Sequence, residues 1–569
     1  MRLCGLIFFC FLLLPDRGVS QNFILIDSCE ILTDTGYSQG CAWGDYNNDS
    51  FIDLFVTNNW TPVSNLFYRN NGDGTFTKIT DQIICTEGGR SNGCSWADYN
   101  NDGYLDLAVA NVNNESNFLY RNNSDFTFTK ITNDVVVSDS NWSYGCTWGD
   151  YDRDGFVDLY ISNYQNQLNC LYHNEQGDHF TKVYNSAVSS DPGWSQSAVW
   201  SDFNNDNWPD LFVANKGCNF LFRNNGDGTF TKITSGTIVT DTVNAFGASA
   251  ADYNNDGLID LFVANWNGKS SLYKNLSGFN FEKVIVPGMT TGIALTEGSA
   301  WGDYDNDGDK DLFVSNDGVD FLYENLGADN FLKIENIPMC TLGPNSNGVA
   351  WGDYNRDGFL DMMVANGGNH TNQLYRNTGN SNHSITVKCV GDKSNRSAIG
   401  AKIIVIAEIN GTSVRQVYEI TSQSGGGYGS QNSMQTVVGI GTASRADIVR
   451  VQWPSGKLSE LKNLNKDGFY IIDERDAADA ANTLLPFIHN NPSPGATTIS
   501  GYTLQANDRV ELALYTSLGQ KATALSGLSD LTNKYFFSVS PGDYGLEKGI
   551  YFYRLTVNQS VFTGKIIVH

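Results

Sequence analysis

The sequence predicts an all-β fold, and three observations support this prediction. An acidic segment, "DYNNDGYLD" in its second copy, recurs seven times, and the first Asp residues of successive copies stand 50 to 53 residues apart. Each copy is accompanied by four short apolar segments with the character of β-strands. The 57 glycines, many in Asn–Asp–Gly clusters, supply the tight turns that antiparallel strands require.

The segments follow the same order in every repeat. A short apolar segment, usually ending in Trp, precedes the acidic segment, and segments like "DLFVAN", "NFLYRN" and "GDGTFTKIT" follow it. Four strands in each of seven repeats are typical of a seven-bladed β-propeller. "NFILIDS" at 22–28 resembles the fourth-strand segment, which the seventh copy lacks. We therefore expect residues 23–27 to complete the seventh blade and close the ring, which removes the open sheet edges.

The acidic segment predicts a cation-binding loop. Asp or Asn occupies loop positions one, three, five and nine, and Gly is usual at position six, where a left-handed turn is needed. Oxygen atoms at alternating positions, with the backbone carbonyl at position seven, suit Ca²⁺. The predicted ligands are Asp45, Asn47, Asp49, Phe51, Asp53, Asp98, Asn100, Asp102, Tyr104, Asp106, Asp150, Asp152, Asp154, Phe156, Asp158, Asp202, Asn204, Asp206, Trp208, Asp210, Asp252, Asn254, Asp256, Leu258, Asp260, Asp303, Asp305, Asp307, Asp309, Asp311, Asp353, Asn355, Asp357, Phe359 and Asp361.

The acidic segments have two alternative interpretations. A helix–loop–helix site needs Glu at position twelve, where this chain has strand residues such as Val56 and Val109. Metal-free turns held by Asx hydrogen bonds remain the alternative, although their acids would repel one another. Up to seven structural Ca²⁺ ions would bring the formal charge from −26 to −12. Ser50 and Asn207 replace the glycine at position six, and we expect the Ser50 loop to bind most weakly.

The net charge and the N-terminal residues limit the partners and the cellular location that the sequence allows. A net charge of −26 argues against nucleic acid or an anionic membrane as partner. Residues 1–20 have the basic start, apolar run and small residues of a secretory signal peptide, with a signal anchor as the alternative. No later segment has the roughly 20 apolar residues of a membrane-spanning helix. Cys41, Cys94 and Cys146 each precede a Trp by two residues, and we expect them to be buried core residues rather than disulfides.

Three parts of the chain resemble known families. The seven loops resemble the FG-GAP/VCBS repeats of integrin α-subunit propellers, which implies a propeller over residues 21–380. Residues 381–474, with "VRVQWPSGKLSELKNL", are similar to the ASPIC/UnbV domain of cartilage acidic protein relatives, which appears here as a small β-rich domain. Residues 490–569, with "GIYFYRL", resemble a type IX secretion sorting domain. That resemblance implies a β-sandwich, a bacterial export machinery as partner and a secreted or outer-surface location, with residues 475–489 as linker.

The strand order also predicts where a ligand binds. Loops after strands two and four lie on the face opposite the acidic loops, and they carry Trp60, Trp142, Trp194 and Trp266. We expect a non-catalytic adhesion or binding protein whose partner is a glycan or an extracellular protein. The alternative is a polysaccharide lyase or hydrolase acting on that same face. No catalytic residue is assigned, because only His370 of the six histidines maps there and no nucleophile motif is present.

Overall fold

The computed structural model describes residues 23–27, 30–60, 64–422, 429–479, 487–489, 497–502, 509–516, 521–528, 534–539, 549–557 and 560–568. The protein is all-β, as predicted, and its first part is a β-propeller built from seven four-stranded antiparallel units. The inner strands of these units neighbour one another around a central channel, and the first of them contacts the last. The predicted signal peptide at 1–20 lies outside the described residues.

The strands of the seven blades are as follows. The inner strands are Ser38–Gly44, Ser91–Ala97, Ser143–Gly149, Ser195–Ser201, Thr242–Ala251, Ala294–Gly302 and Ser346–Gly352. The second strands are Asp53–Asn58, Asp106–Asn111, Asp158–Asn163, Asp210–Cys218, Asp260–Gly268, Asp311–Asn316 and Asp361–Asn366. The third strands are Leu66–Asn70, Phe118–Asn122, Cys170–Asn174, Phe220–Asn224, Ser271–Asn275, Phe321–Asn325 and Gln373–Asn377. The outer strands of blades 1 to 6 are Phe76–Ile79, Phe128–Lys130, Phe180–Lys182, Phe230–Lys232, Phe281–Val284 and Phe331–Ile334.

Blade 7 takes its outer strand from the beginning of the propeller, as the sequence predicts. Phe23–Leu25 pairs antiparallel with Gln373–Asn377, so that Phe23 lies opposite Asn377. The Phe23 side chain is 1% exposed and packs near Tyr304 and Trp351, with ring centroids 5.6 and 6.1 Å away. The two ends of the propeller are therefore joined both by backbone hydrogen bonds and by a buried aromatic ring.

Neighbouring blades are held together by two repeated features. A Trp near the end of most inner strands is buried between blades, and in five blades its indole N–H donates to the preceding inner strand, as from Trp96 to Ala42 O. An Asn at the end of each third strand donates from Nδ2 to the preceding blade, as from Asn122 to Tyr46 O at 2.9 Å. The same bond is made by Asn70, Asn174, Asn224, Asn275, Asn325 and Asn377.

A second domain follows the propeller. Its three-stranded sheet contains Thr436–Gly441, His383–Val390 and, in parallel, Gly468–Asp473. Its five-stranded sheet has the order Thr412–Glu419, Lys402–Ile409, Arg445–Gln452, Lys457–Asn465 and Ala478–Asp479. The last of these strands, and the final two residues of the short 3₁₀ turn Glu474–Asp476, fall within the segment expected to be a linker. Apolar side chains from both sheets share a core with blades 2 and 3.

The remaining elements are short helical turns, small ribbons and the C-terminal strands. The helical turns are Ile83–Thr86, Val135–Ser138, Thr237–Thr240, Glu30–Leu32, Ala187–Ser189 and Pro338–Cys340. Two-residue strands pair Thr35–Gly36 with His370–Thr371, Glu115–Ser116 with Ser140–Asn141 and Gln167–Leu168 with Pro192–Gly193. The C-terminal strands form two antiparallel sheets, Phe487–His489, Thr497–Tyr502 and Lys534–Val539, and Lys521–Leu528, Arg509–Thr516, Gly549–Val557 and Ser560–Val568.

The structure also bears on the predicted cysteines and on membrane-spanning helices. Cys41, Cys94 and Cys146 are fully buried and form no disulfide, as predicted. In the described part of the chain, no helix has the length and apolar character needed to cross a membrane.

Candidate functional sites

Each acidic loop is a tight, hydrogen-bonded turn between an inner strand and a second strand. In blade 2, the Asp98 carboxylate accepts the backbone N–H of Asp102 at 3.0 Å and that of Gly103 at 2.7 Å. Gly103 has φ +95, the left-handed conformation predicted for position six. At position nine, Asp106 accepts the N–H of Tyr99 through Oδ2 and that of Asn122 through Oδ1. The ninth Asp therefore ties its loop to the third strand, and the next strand begins there, as in a hairpin.

The acids at loop positions one and nine are buried, and in blades 1 and 4 the first of them is paired with a lysine. Burial raises the pKa of Asp98 and Asp353 to about 7 and that of Asp106 well above its ordinary range. Such carboxyls resist ionisation unless a positive charge is nearby. Buried carboxylate oxygens without a hydrogen-bond partner among the described residues include Oδ1 of Asp45 and Oδ1 of Asp150. This donor set of carboxylate and amide oxygens fits a hard divalent cation such as Ca²⁺.

Blades 3 and 6, where position three is Asp, carry clusters of three Asp or His side chains that could hold a metal ion, among the described residues. In each cluster one ligand atom per residue lies within 4.8 Å of the others: Asp150, Asp152 and Asp154; Asp152, Asp158 and His173; Asp303, Asp305 and Asp311. His173 occupies the place of the Arg in "LYRN", and its Nδ1 lies 3.0 Å from Asp158 Oδ1. That hydrogen bond raises the pKa of His173 to about 9.

Position four links each loop to the next, a role that the sequence analysis missed. Its residue adopts positive φ in every blade, and in five blades it is an Asn whose Nδ2 donates to the sixth residue of the next loop, as from Asn101 to Gly155 O at 2.9 Å. In the other two blades, Arg153 and Arg356 lie over the aromatic rings of Trp208 and Phe51. The loops thus form a continuous ring, and the available signal was the Asn or Arg that stands at position four of every copy.

The second domain covers the acidic-loop face of the propeller. Residues 429–433 reach the inner strands, where Gln431 N–H donates to Cys41 O at 2.9 Å and the Gln431 side chain bonds both N–H and C=O of Trp96. Ser422 Oγ makes the same pair of bonds to Trp148, and Asn432 accepts the N–H of Trp351. Ser422 and residues 429–433 thus bond the inner strands of four blades near the ends that lead into the acidic loops.

The second domain also contacts individual loops. Ser397 Oγ accepts the N–H of Asp98 at 2.8 Å, and Gly441 N–H donates to Asn306 O at 2.8 Å. Gly439 lies so close to the loop of blade 6 that a Cβ there would stand 2.5 Å from the Asn306 Cα. A cavity of about 260 Å³ remains between the second domain and the loops of blades 1 and 2, lined in part by Met434. The loop face is therefore largely occupied from within the chain.

The opposite face carries the aromatic residues that the sequence predicts. Trp60, 53% exposed, stacks on Tyr37 with ring centroids 5.0 Å apart. Trp194 meets Tyr164 edge-on at 4.7 Å, and the Lys216 ammonium lies 5.2 Å from the Trp194 ring. The structure therefore places the exposed rings of Trp60 and Trp194 in aromatic pairs, with the exposed Tyr37 and the half-buried Tyr164.

The two remaining predicted residues are half-buried. Trp266 stacks on Phe246 at 5.2 Å, and sequence reasoning missed Phe246 because it lies within an inner strand rather than a loop. Trp142 O accepts the N–H of Tyr164, and Trp142 N–H donates to Gln167 Oε1 at 2.7 Å.

Phe246 stands at a β-bulge that recurs where every inner strand meets this open face. The equivalent residue in blade 4, Gln196, is 1% exposed, and neither of its amide atoms has a hydrogen-bond partner among the described residues. In blade 6 the bulge residue is Glu297, whose pKa is raised to about 8 by burial and then by Asp317. Buried polar groups without partners are rare in proteins and mark positions where another group can bind.

Family models match both domains described above. The FG-GAP-like repeat model matches residues 45–109, 98–161, 202–263, 252–314 and 303–364, and the ASPIC and UnbV model matches residues 391–479. Each repeat match spans one acidic loop and the next, so that together the five matches include all seven loops. The chain thus contains FG-GAP-like repeats and an ASPIC/UnbV domain.

Comparisons with individual proteins give weaker likenesses. Cartilage acidic protein 1 of Xenopus tropicalis is 26% identical over 187 residues, which are 31% of this chain and 28% of that protein. The match therefore spans less than a third of that relative. A solved lectin of Agrocybe aegerita, described as recognising non-reducing terminal N-acetylglucosamine, is 16% identical with a TM-score of 0.38 and covers 62% of this chain and 92% of its own. Biofilm matrix protein Bap1 of V. cholerae is 11% identical with a TM-score of 0.28, covering 94% and 80%.

Proposed function

We propose that this chain, which carries FG-GAP-like repeats and an ASPIC/UnbV domain, is an extracellular, non-catalytic binding protein that uses the open face of its propeller. One observation carries the proposal: the second domain occupies the acidic-loop face, whereas the opposite face presents exposed aromatic pairs. Aromatic side chains with a polar handle provide large contact areas in recognition sites. The partner is a glycan or an extracellular protein that packs against Trp60 and Trp194.

Binding of a glycan array and of an extracellular-protein panel by residues 21–569 tests this function. W60A and W194A should each lower binding at least about tenfold, a change that corresponds to roughly 1.4 kcal/mol. F126A is the matched control, because Phe126 is also an exposed aromatic but lies in a turn on the acidic-loop face. Equal loss of binding in all three variants, or none in the two Trp variants, would refute the proposal.

The alternative function, a polysaccharide lyase or hydrolase on the same face, has one supporting observation. Glu297 is a buried carboxyl with a raised pKa, a property that general acids share. Release of reducing ends or unsaturated products from the polysaccharides that bind on the array would identify an enzyme. If wild-type protein releases product and E297Q does not, the alternative replaces the non-catalytic function.

We also propose that the loops bind Ca²⁺ and that this calcium is structural. Buried loop carboxyls have raised pKa values, and in the loops of blades 3, 5 and 6 one buried carboxylate oxygen has no hydrogen-bond partner among the described residues. A divalent ion would keep these carboxyls ionised at neutral pH. Extracellular modules bind Ca²⁺ with dissociation constants of order 10⁻⁴–10⁻³ M. Chelation should therefore lower the melting temperature markedly, and an identical melting curve with and without chelator would refute structural calcium.

For the C-terminal region we propose a role in export. The basis is the resemblance of residues 490–569 to type IX sorting domains, together with the all-β character of its described strands. A reporter fused to residues 490–569 should reach the surface of a bacterium that has a type IX system. Retention of the reporter in the periplasm would contradict this role.

A further inference from the structure

Two of the seven acidic loops differ from the others at position six. Five loops have Gly there, with φ between +86 and +101, whereas blade 1 has Ser50 at +72 and blade 4 has Asn207 at +69. Residues with a Cβ pay a steric cost in this left-handed conformation. Blades 1 and 4 therefore lack the position-six glycine, the residue that best suits a loop around a bound ion.

The same two loops receive a lysine from the second domain. Lys402 Nζ lies 2.8 Å from Asp202 Oδ2 and 2.6 Å from Asn205 Oδ1 in blade 4. Lys388 Nζ lies 2.8 Å from Asp45 Oδ2 in blade 1. In both pairs the carboxylate belongs to position one and is about 95% buried. The two departures from Gly and the two lysines thus coincide in the same blades.

A lysine ammonium at the position-one Asp supplies the positive charge that a bound metal ion would supply there. It neutralises the buried Asp and donates hydrogen bonds to oxygen atoms of the loop. A divalent ion on the other oxygen of the same carboxylate would stand a few ångströms from that ammonium, and the repulsion is strong in a buried, weakly screened site. Glu419, which accepts the N–H of Asp202 and pairs with Lys402 across neighbouring strands, adds a second acid next to this lysine.

We propose that Lys388 and Lys402 hold the loops of blades 1 and 4, so that these two loops take no divalent cation while the second domain is docked. The proposal rests on the proposed Ca²⁺ binding of the other loops. The second domain thereby acts as a partner of the propeller that determines which loops are ion sites. Arg415, which lies over Gly257 of blade 5, is a different case, since that loop keeps its Gly.

Calcium stoichiometry tests the proposal on the full chain. Residues 21–569 are dialysed against about 1 mM Ca²⁺, and bound calcium per chain is measured by mass spectrometry of the metal. K388M and K402M, which keep the apolar stem of the lysine, should each gain one bound ion over wild type. K462M is the matched control, because Lys462 is a lysine of the same domain that pairs with Glu460 away from the loops.

The outcomes separate this proposal from the one on which it rests. A gain of one ion in each of K388M and K402M, with no change in K462M, supports it. Unchanged stoichiometry in both folded variants overturns it, and so does wild-type protein that binds seven ions. Wild-type protein that binds none overturns calcium binding as a whole. If the variants do not fold, anomalous scattering from Ca²⁺ in crystals of wild type decides: ions located in blade 1 or 4 contradict the proposal.

Discussion

Removing the Phe23 side chain should strongly destabilise the propeller. Phe23 belongs to the strand that completes blade 7, and its ring is 1% exposed against Tyr304 and Trp351. Truncation of a buried Phe to Ala costs about 3–5 kcal/mol, because apolar contacts are lost and a cavity is left. That cost corresponds to an increase of roughly 100-fold or more in the unfolding equilibrium constant.

The next residue supplies a matched control for F23A. Ile24 lies in the same strand with the same backbone pairing, but it is 37% exposed. I24A should cost less than about 1 kcal/mol, since little buried surface is lost. Urea unfolding, followed by Trp fluorescence and by far-UV circular dichroism, measures both variants, and agreement of the two probes shows whether the transition is two-state. Equal losses in F23A and I24A would refute ring closure through this buried residue.

Three further predictions concern other features of the propeller. N174A removes the donor that joins blade 3 to blade 2 and should cost about 1–3 kcal/mol by leaving buried carbonyls unpaired; N225A, at an exposed turn, should cost much less in the same unfolding experiment. The raised pKa of Glu297 means that its contribution to stability is complete below the unfolded pKa and is lost as pH rises through about 8. E297Q should therefore flatten the decline in unfolding free energy between about pH 4.5 and pH 8, the unfolded and folded pKa values of this carboxyl; an unchanged decline would contradict the raised pKa. Among the cysteines in the described residues, Cys218 is exposed and the others are buried, so a maleimide should label Cys218 first, as peptide mapping will show.

The repeat made most of the propeller predictable. Seven copies of one motif fix the number of acidic loops, their place after the inner strand and the face on which they lie. The strand at Phe23 was predictable because it resembles a segment that the last copy lacks. Strands and turns of this kind can be predicted because each is specified by residues close to it in sequence.

The contacts of the second domain could not be predicted in the same way. Gln431 and Ser422 bond the inner strands of blades more than 250 residues earlier in the chain, and nothing in the local sequence reports such a pairing. Lys388 and Lys402 are single lysines in ordinary strands. The role of each lysine depends on the loop that it contacts, and this contact is known only from the fold. The sequence shows that Ser50 and Asn207 stand where other loops have Gly, but it does not show that a lysine contacts each of these two loops.

The position of Cys218 allows the most direct test of the claim that the open face binds the partner. This exposed thiol ends the second strand of blade 4, on the same face as Trp194. A bulky polyethylene glycol attached to Cys218 should abolish binding to the array ligands. The same group attached to K462C in a C218S background, on the second domain, should leave binding intact. Full binding after modification of Cys218, with loss after modification at position 462, would contradict the account.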